Sequence, residues 1–176
     1  MTRFVIGPDV AIRLAHDQAV IGGEHQILAP TLLRSHVLSQ LYQAVRRGDM
    51  TKQDAEQRLS YVRGLRIRLL GDRVLQDVAW KFADQLGWPD TFNAEYVALT
   101  RLQADAFITL DGQLARAVND LVTVAPIEAL WIPTDVTRAE AVLWKRNPRE
   151  AARIASALNA AATGSGVAAD PAADDL

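Results

Sequence analysis

Cysteine is absent from the 176 residues, which excludes disulfides and thiolate chemistry and permits a reducing, cytosolic setting. An excess of charge of one sign is absent too, since 19 Lys and Arg stand against 21 Asp and Glu for a formal charge of -2. That balance excludes a protein that grips nucleic acid by bulk charge and leaves only a local basic patch for the purpose. No apolar run approaches the roughly 20 residues of a membrane span. The opening MTRFVIGPD also lacks the basic region, apolar core and cleavage site of a signal peptide. The expectation is a cytoplasmic protein without membrane association.

What is present is a chain with 49% hydrophobic and 23% charged residues, interleaved throughout, as in a globular protein of one domain plus a tail. Phe4 to Ile6 read as a buried strand stopped by Gly7-Pro8, with Asp9 where strand gives way to helix. A helix is expected from about Val10 to Ile21, closed by Gly22-Gly23, and a second strand from Gln26 to Ala29. Leu32, Leu33, Val37, Leu41 and Val45 recur at helical spacing up to Gly48. Thr51 with Asp54 resembles a capping box opening the next helix. Arg58, Arg63, Arg66, Arg68 and Arg73 then make a basic stretch on that helix and a following strand, read as solvated arginines or, alternatively, as an RNA-facing surface. Asp72 caps a helix to Leu86 that stops at Gly87. A helix from about Phe92 to Leu102, a strand from Ala106 to Leu110, a short helix from Gly112 to Val118 and a strand from Leu121 to Ala125 complete the pattern.

Short apolar strands alternating with helices indicate a parallel sheet covered on both faces, a three-layer α/β/α sandwich. Residues 1-132 form this domain. A helical extension is expected over 133-161 and a small, acidic, disordered tail over 162-176. In such a sheet, ligands bind in the crevice at the carboxyl ends of the strands. Asp9 and Asp111 each follow a strand and are expected there. Two neighbouring carboxylates repel unless a cation lies between them, and Mg²⁺, with its hard oxygen ligands and retained waters, suits such a pair beside a phosphate. Thr109, two residues before Asp111, is expected on the same side of the strand end, its hydroxyl placed to orient a ligand or water.

Four segments, FVIGPDVA, APTLLRSHVLSQLY, DTFNAEYVALT and FITLDGQLARA, stand in an order and at separations that resemble a PIN-domain protein of the VapC toxin type over roughly Thr2 to Leu130. The resemblance implies an endoribonuclease that holds one or two Mg²⁺ or Mn²⁺ ions with four acids. It also implies RNA as substrate, a VapB-like antitoxin as partner, and a homodimer. Asp9 matches the first family acid and Asp111 the last, both as metal ligands. His36 stands where the family has Glu, and Asn93 where it has Asp.

Two negative charges are thereby removed from a site that must attract a dication. Two readings of His36 follow: a transition-metal site rewired through its nitrogen, or a ring that bonds to Asp9 or Asp111 and replaces the metal's charge with its own. Among nearby acids, Asp90 belongs to a turn, and Glu95, about 200° around the helix from Asn93, is expected to face away from the cleft. His16 and His25 are expected at the surface. Trp80 and Trp88 are expected in the core or at its edge, and Trp131 and Trp144 are expected to dock the extension, whose Arg149 and Arg153 could lie across the acidic cleft. The expected function is a PIN-domain protein of metal-dependent endoribonuclease ancestry with a degenerate acidic site, its RNA cleavage weakened or lost and its metal then dispensable. The alternative is an inactive PIN module that binds RNA or a protein partner.

Overall fold

The central strand, β1 (Thr2–Ile6), carries Phe4, Val5 and Ile6 with no exposed surface at all, the mark of a parallel strand covered on both faces. The computed structural model describes residues 1-130. The expected extension, the tail, Trp131, Trp144, Arg149 and Arg153 lie outside the described residues. After β1 come α1 (Pro8–Asp17), β2 (His25–Pro30), α2 (Leu33–Arg47), α3 (Lys52–Gly64), β3 (Ile67–Leu70), α4 (Arg73–Leu86) and α5 (Phe92–Gln103). The chain continues through β4 (Ala106–Ile108), α6 (Gly112–Val118), β5 (Val124–Ala125) and a 3-10 turn, Ile127–Leu130.

The five strands pair in the order β3-β2-β1-β4-β5, and every pairing is parallel. Helix α5 packs on β1, β2 and β4 with α4 against it, while α1, α2 and α3 pack on one another. The fold is therefore the expected three-layer α/β/α sandwich. None of the helices among the described residues is long and apolar enough to cross a membrane. Leu33, Val37 and Leu41, whose stripe fits a core or a dimer face equally well in sequence, are 1% exposed within this one chain and belong to its core.

Local chemistry sets the ends of the helices. Thr51 accepts from the Asp54 N–H at 3.1 Å and Asp54 from the Thr51 N–H at 3.3 Å, closing the expected capping box. Asp72 accepts from the Leu75 N–H at 2.8 Å, and Gly87, at φ 64°, supplies the left-handed residue that ends α4. Helix α1 stops earlier than the pattern suggests: Gln18 adopts the left-handed conformation at φ 49° and its amide donates to the Ala15 carbonyl. No glycine announces that stop. Strand β4 ends at Ile108 rather than Leu110, because the Leu110 N–H is drawn to a carboxylate instead of a neighbouring strand. Strand β5 starts only at Val124, since the N–H groups of Leu121 and Val122 still donate to Val118. Trp80 is 67% exposed, against expectation: α4 turns Leu75, Ala79 and Ala83 inward, and one residue past Ala79 is about 100° off that face. Trp88 does pack against the core.

Candidate functional site

Chain connections diverge between β1 and β4: from β1 the chain passes to β2 on one side, while β4 lies on the other. The carboxyl ends of these two strands form the switch-point crevice where open α/β sheets bind ligands. Pro8 opens α1 there, and Asp9 falls in its first turn. The Asp9 carboxylate does not project freely. Its Oδ1 accepts from the Val10 N–H at 2.8 Å, and its Oδ2 accepts from the Thr109 hydroxyl at 2.9 Å and the Leu110 N–H at 2.6 Å. The carboxylate folds back over Gly7, so that a Cβ built there would overlap Oδ1 and lie 3.5 Å from Asp9 Cγ. Gly7 is needed for this close approach, and its N–H donates to the Ile108 carbonyl at 3.0 Å.

Thr109 links the two acids, as its hydroxyl donates to Asp9 and accepts from the Asp111 N–H at 3.1 Å. Asp111 caps α6: its Oδ1 accepts from the Gln113 and Leu114 N–H groups at 2.8 and 3.1 Å. The structure thus brings Asp9, Thr109 and Asp111 together, with Thr109 orienting protein groups.

His36 lies in α2, half-buried, and its ring does not reach either acid, contrary to the expected bond to Asp9 or Asp111. Its Nδ1 pairs instead with the Tyr96 hydroxyl at 3.2 Å. The ring stands edge-on to Phe92, with centroids 5.0 Å apart at 81°, and roughly parallel to Tyr96 at 6.0 Å and 20°. Burial lowers the His36 pKa below its ordinary value, an effect that the negative charge of Asp90 opposes. A lowered pKa disfavours the cationic form expected of it. The physical reason is the aromatic pair on α5, Phe92 and Tyr96, one helical turn apart, between which the imidazole is received.

Asn93 is exposed in the first turn of α5, and its amide makes no hydrogen bond to Asp9, His36, Thr109 or Asp111. Glu95 follows Asn93 by two residues in α5. It is half-buried, burial raises its carboxyl pKa, and with Asp9 it adds to the burial that raises the Tyr96 phenol. Facing away from Asn93 means facing inward, because Asn93 itself is on the solvent side. Asp90 accepts from the Phe92 N–H at 3.0 Å, as a turn residue does. His16 is exposed, as expected, with Arg58 Nη2 3.2 Å from its Nδ1. His25 is not a surface residue: both its ring nitrogens are buried without a hydrogen-bond partner among the described residues, and burial lowers its pKa. The close approach of Asp9 over Gly7 and the role of Tyr96 were not among the expectations from sequence. The i, i+4 spacing of Phe92 and Tyr96 flanking Asn93 was the available signal for the second.

The resemblance implies a divalent cation at this corner. Among the described residues, no three His, Asp or Glu side chains are grouped so as to hold a metal ion. Asp9 Oδ2 and Asp111 Oδ1 each accept two hydrogen bonds, while Asp9 Oδ1 accepts one, so each acid keeps acceptor capacity on its other oxygen. Mg²⁺ keeps several waters and is commonly bound through one or two carboxylates, so Asp9 and Asp111 are the side chains that could hold one here. The carboxyl edge of the sheet carries arginines as well as acids. Arg34 and Arg73, exposed, follow β2 and β3 at the carboxyl end of the sheet, and Arg116, also exposed, brings Nη1 beside Gly112 at the start of α6.

Fold and site together define an α/β/α domain with a polar corner at its switch point. No family model and no curated protein matches the chain. Among solved structures, the chain is similar to PAE2754 from Pyrobaculum aerophilum, known from its crystal structure, with a TM-score of 0.57 and 19% identity. The match covers 73% of this chain and 92% of that one. Likeness at this identity shows the fold.

Proposed function

We propose that this is a PIN-domain protein of the VapC type, descended from metal-dependent endoribonucleases, with a degenerate acidic site and RNA cleavage that is weak or lost. The observation that carries the reading is the state of the corner: two acids remain, each tied to its own chain, and His36 is held by Tyr96. Removing members of a cooperative catalytic set costs orders of magnitude in rate. The test is labelled RNA incubated with Mg²⁺ and then Mn²⁺, using the unaltered chain beside His36→Glu with Asn93→Asp. Cleavage confined to the doubly reverted chain is expected. Robust cleavage by the unaltered chain, abolished by Asp9→Asn, would overturn the reading.

A second reading, an inactive module that binds RNA, draws support from Arg34, Arg73 and Arg116 around the same edge. Arginines suit phosphate, and such binding weakens steeply with salt. RNA retained in the presence of a chelator, and released by salt, is the expected behaviour. A VapB-like antitoxin and a homodimer belong to the same proposal. The homodimer would use surfaces other than the buried stripe of α2; exposed Leu38 and Tyr42, one turn apart on that helix, are available.

A further inference from the structure

We propose that Phe92 and Asn93 form a subsite for one unpaired base of single-stranded RNA, which stacks on the exposed Phe92 ring while the Asn93 amide pairs with an edge of the base. The proposal rests on the RNA-binding reading of this edge, yet it can fail alone: equal binding of strands with and without bases would remove the subsite and leave that reading standing.

Topology puts these residues beside the acids. Helix α5 leads into β4, which is parallel to β1, so α5 runs against the strands and starts at their carboxyl ends, with Phe92 as its first residue and Asn93 as its second. Helix α2 follows β2 and brings His36 to the same edge in its first turn. The His36 ring stands against Phe92 and against Tyr96, and Asp9 is close enough for its charge to reinforce the raised pKa of the Tyr96 phenol.

Within that cluster Tyr96 is buried, whereas Phe92 keeps 53% of its surface exposed. The other exposed rings among the described residues, Tyr42 and Trp80, lie further along α2 and α4, away from the crevice. Leu110, in the turn that carries Thr109 and Asp111, is exposed as well. Asn93 has no hydrogen-bond partner among the described residues, so its amide offers both a donor and an acceptor, as the edge of a base requires. Bases of a single strand present faces that stack on aromatic side chains, and a duplex covers those faces. Arg34, Arg73 and Arg116, exposed along the same edge, match a phosphate backbone in charge.

The experiment is binding of the full chain to labelled single-stranded RNA with chelator present, read by fluorescence anisotropy, beside an abasic strand of the same length and a duplex. The unaltered chain is expected to bind the intact strand at least about fivefold more tightly than either. Phe92→Leu keeps the apolar bulk without the aromatic face and is expected to lose that preference; Phe92→Trp is expected to keep or increase it. Arg34→Gln is expected to weaken intact and abasic strands by a similar factor. Asn93→Ala is expected to narrow the spread of affinities among the four homopolymers, and an unchanged spread overturns the part assigned to Asn93. Equal affinity for intact and abasic strands, tighter binding to the duplex, or a loss of less than about twofold in Phe92→Leu overturns the subsite and leaves binding through phosphates. Absence of binding to any strand overturns the RNA-binding reading and the subsite with it.

Discussion

The two edges of the sheet hold similar polar residues and treat them differently. At the carboxyl edge, Asp9, Thr109, Asp111 and His36 each have partners. At the amino edge, Asp105 accepts from the Arg3 N–H at 2.7 Å, but His25, in register with Thr2 across the β1–β2 ladder, has two buried nitrogens without a hydrogen-bond partner among the described residues. Phe4 meets its ring edge-on at 5.3 Å. A buried polar group left unpaired costs about 1–3 kcal/mol, and here that cost falls at the end of the sheet opposite the crevice. An orphaned polar atom is therefore a poor guide to the site in this fold, since the unpaired ring lies at the edge opposite the crevice.

The comparison can be broken most forcefully at Tyr96, 1% exposed, which packs against Phe107 at 6.3 Å as well as pairing with His36. Tyr96→Ala should cost about 3–5 kcal/mol, as for other large buried aromatics, while Tyr96→Phe should cost about 1 kcal/mol by removing the partner of His36 alone. Urea unfolding measures both, and equal losses would show that the hydroxyl, not the ring, holds the edge together. Next in size, Thr109→Val removes the link between Asp9 and Asp111 while keeping the shape, for about 1–3 kcal/mol. A denaturation midpoint unchanged in that variant would mean that the two acids are not coupled through Thr109.

The smallest effect concerns pH. Burial lowers the pKa of both His25 and His36, with Glu24 opposing it and the N-terminus reinforcing it at His25, and Asp90 opposing it at His36. The unfolded chain, with imidazoles near an ordinary value of about 6.5, binds protons that the native rings resist. Their contribution to stability is therefore present above about pH 6.5 and is lost as pH falls through the lowered native values. Unfolding midpoints at pH 7.5 and pH 5 should diverge, and His25→Phe should narrow the gap and raise stability by about 1 kcal/mol by removing the unpaired nitrogens. A gap that His25→Phe leaves intact and a His36→Phe change closes would move the proton-sensitive group to the carboxyl edge.

Much of this architecture was legible in the sequence, because its signals are local. Thr51 with Asp54, Asp72 and Gly87 announce helix ends through short-range hydrogen bonds and backbone geometry, and the strands are marked by apolar runs. Of the site, the nearness of Asp9 to Thr109 and Asp111 follows from their places after parallel strands. What could not be read depends on tertiary contact. Gln18 ends α1 without a glycine, His25 is drawn into the sheet edge, and the half-buried position of Glu95 depends on which side of α5 faces the sheet. The partnership of His36 with Tyr96 joins residues 60 positions apart, beyond any spacing rule.

Gly7 and Asp9 also constrain how this corner can change by mutation. While Asp9 stands over it, residue 7 cannot gain even a methyl group without collision, whereas shortening residue 9 first would open that space. The two positions are thus directional in their dependence: a path that exchanges their side chains is passable in one order and blocked in the other. Single-site variant scanning is expected to report position 7 as poorly tolerant of substitution, and a library varying both positions together is expected to recover tolerance there when residue 9 is shortened.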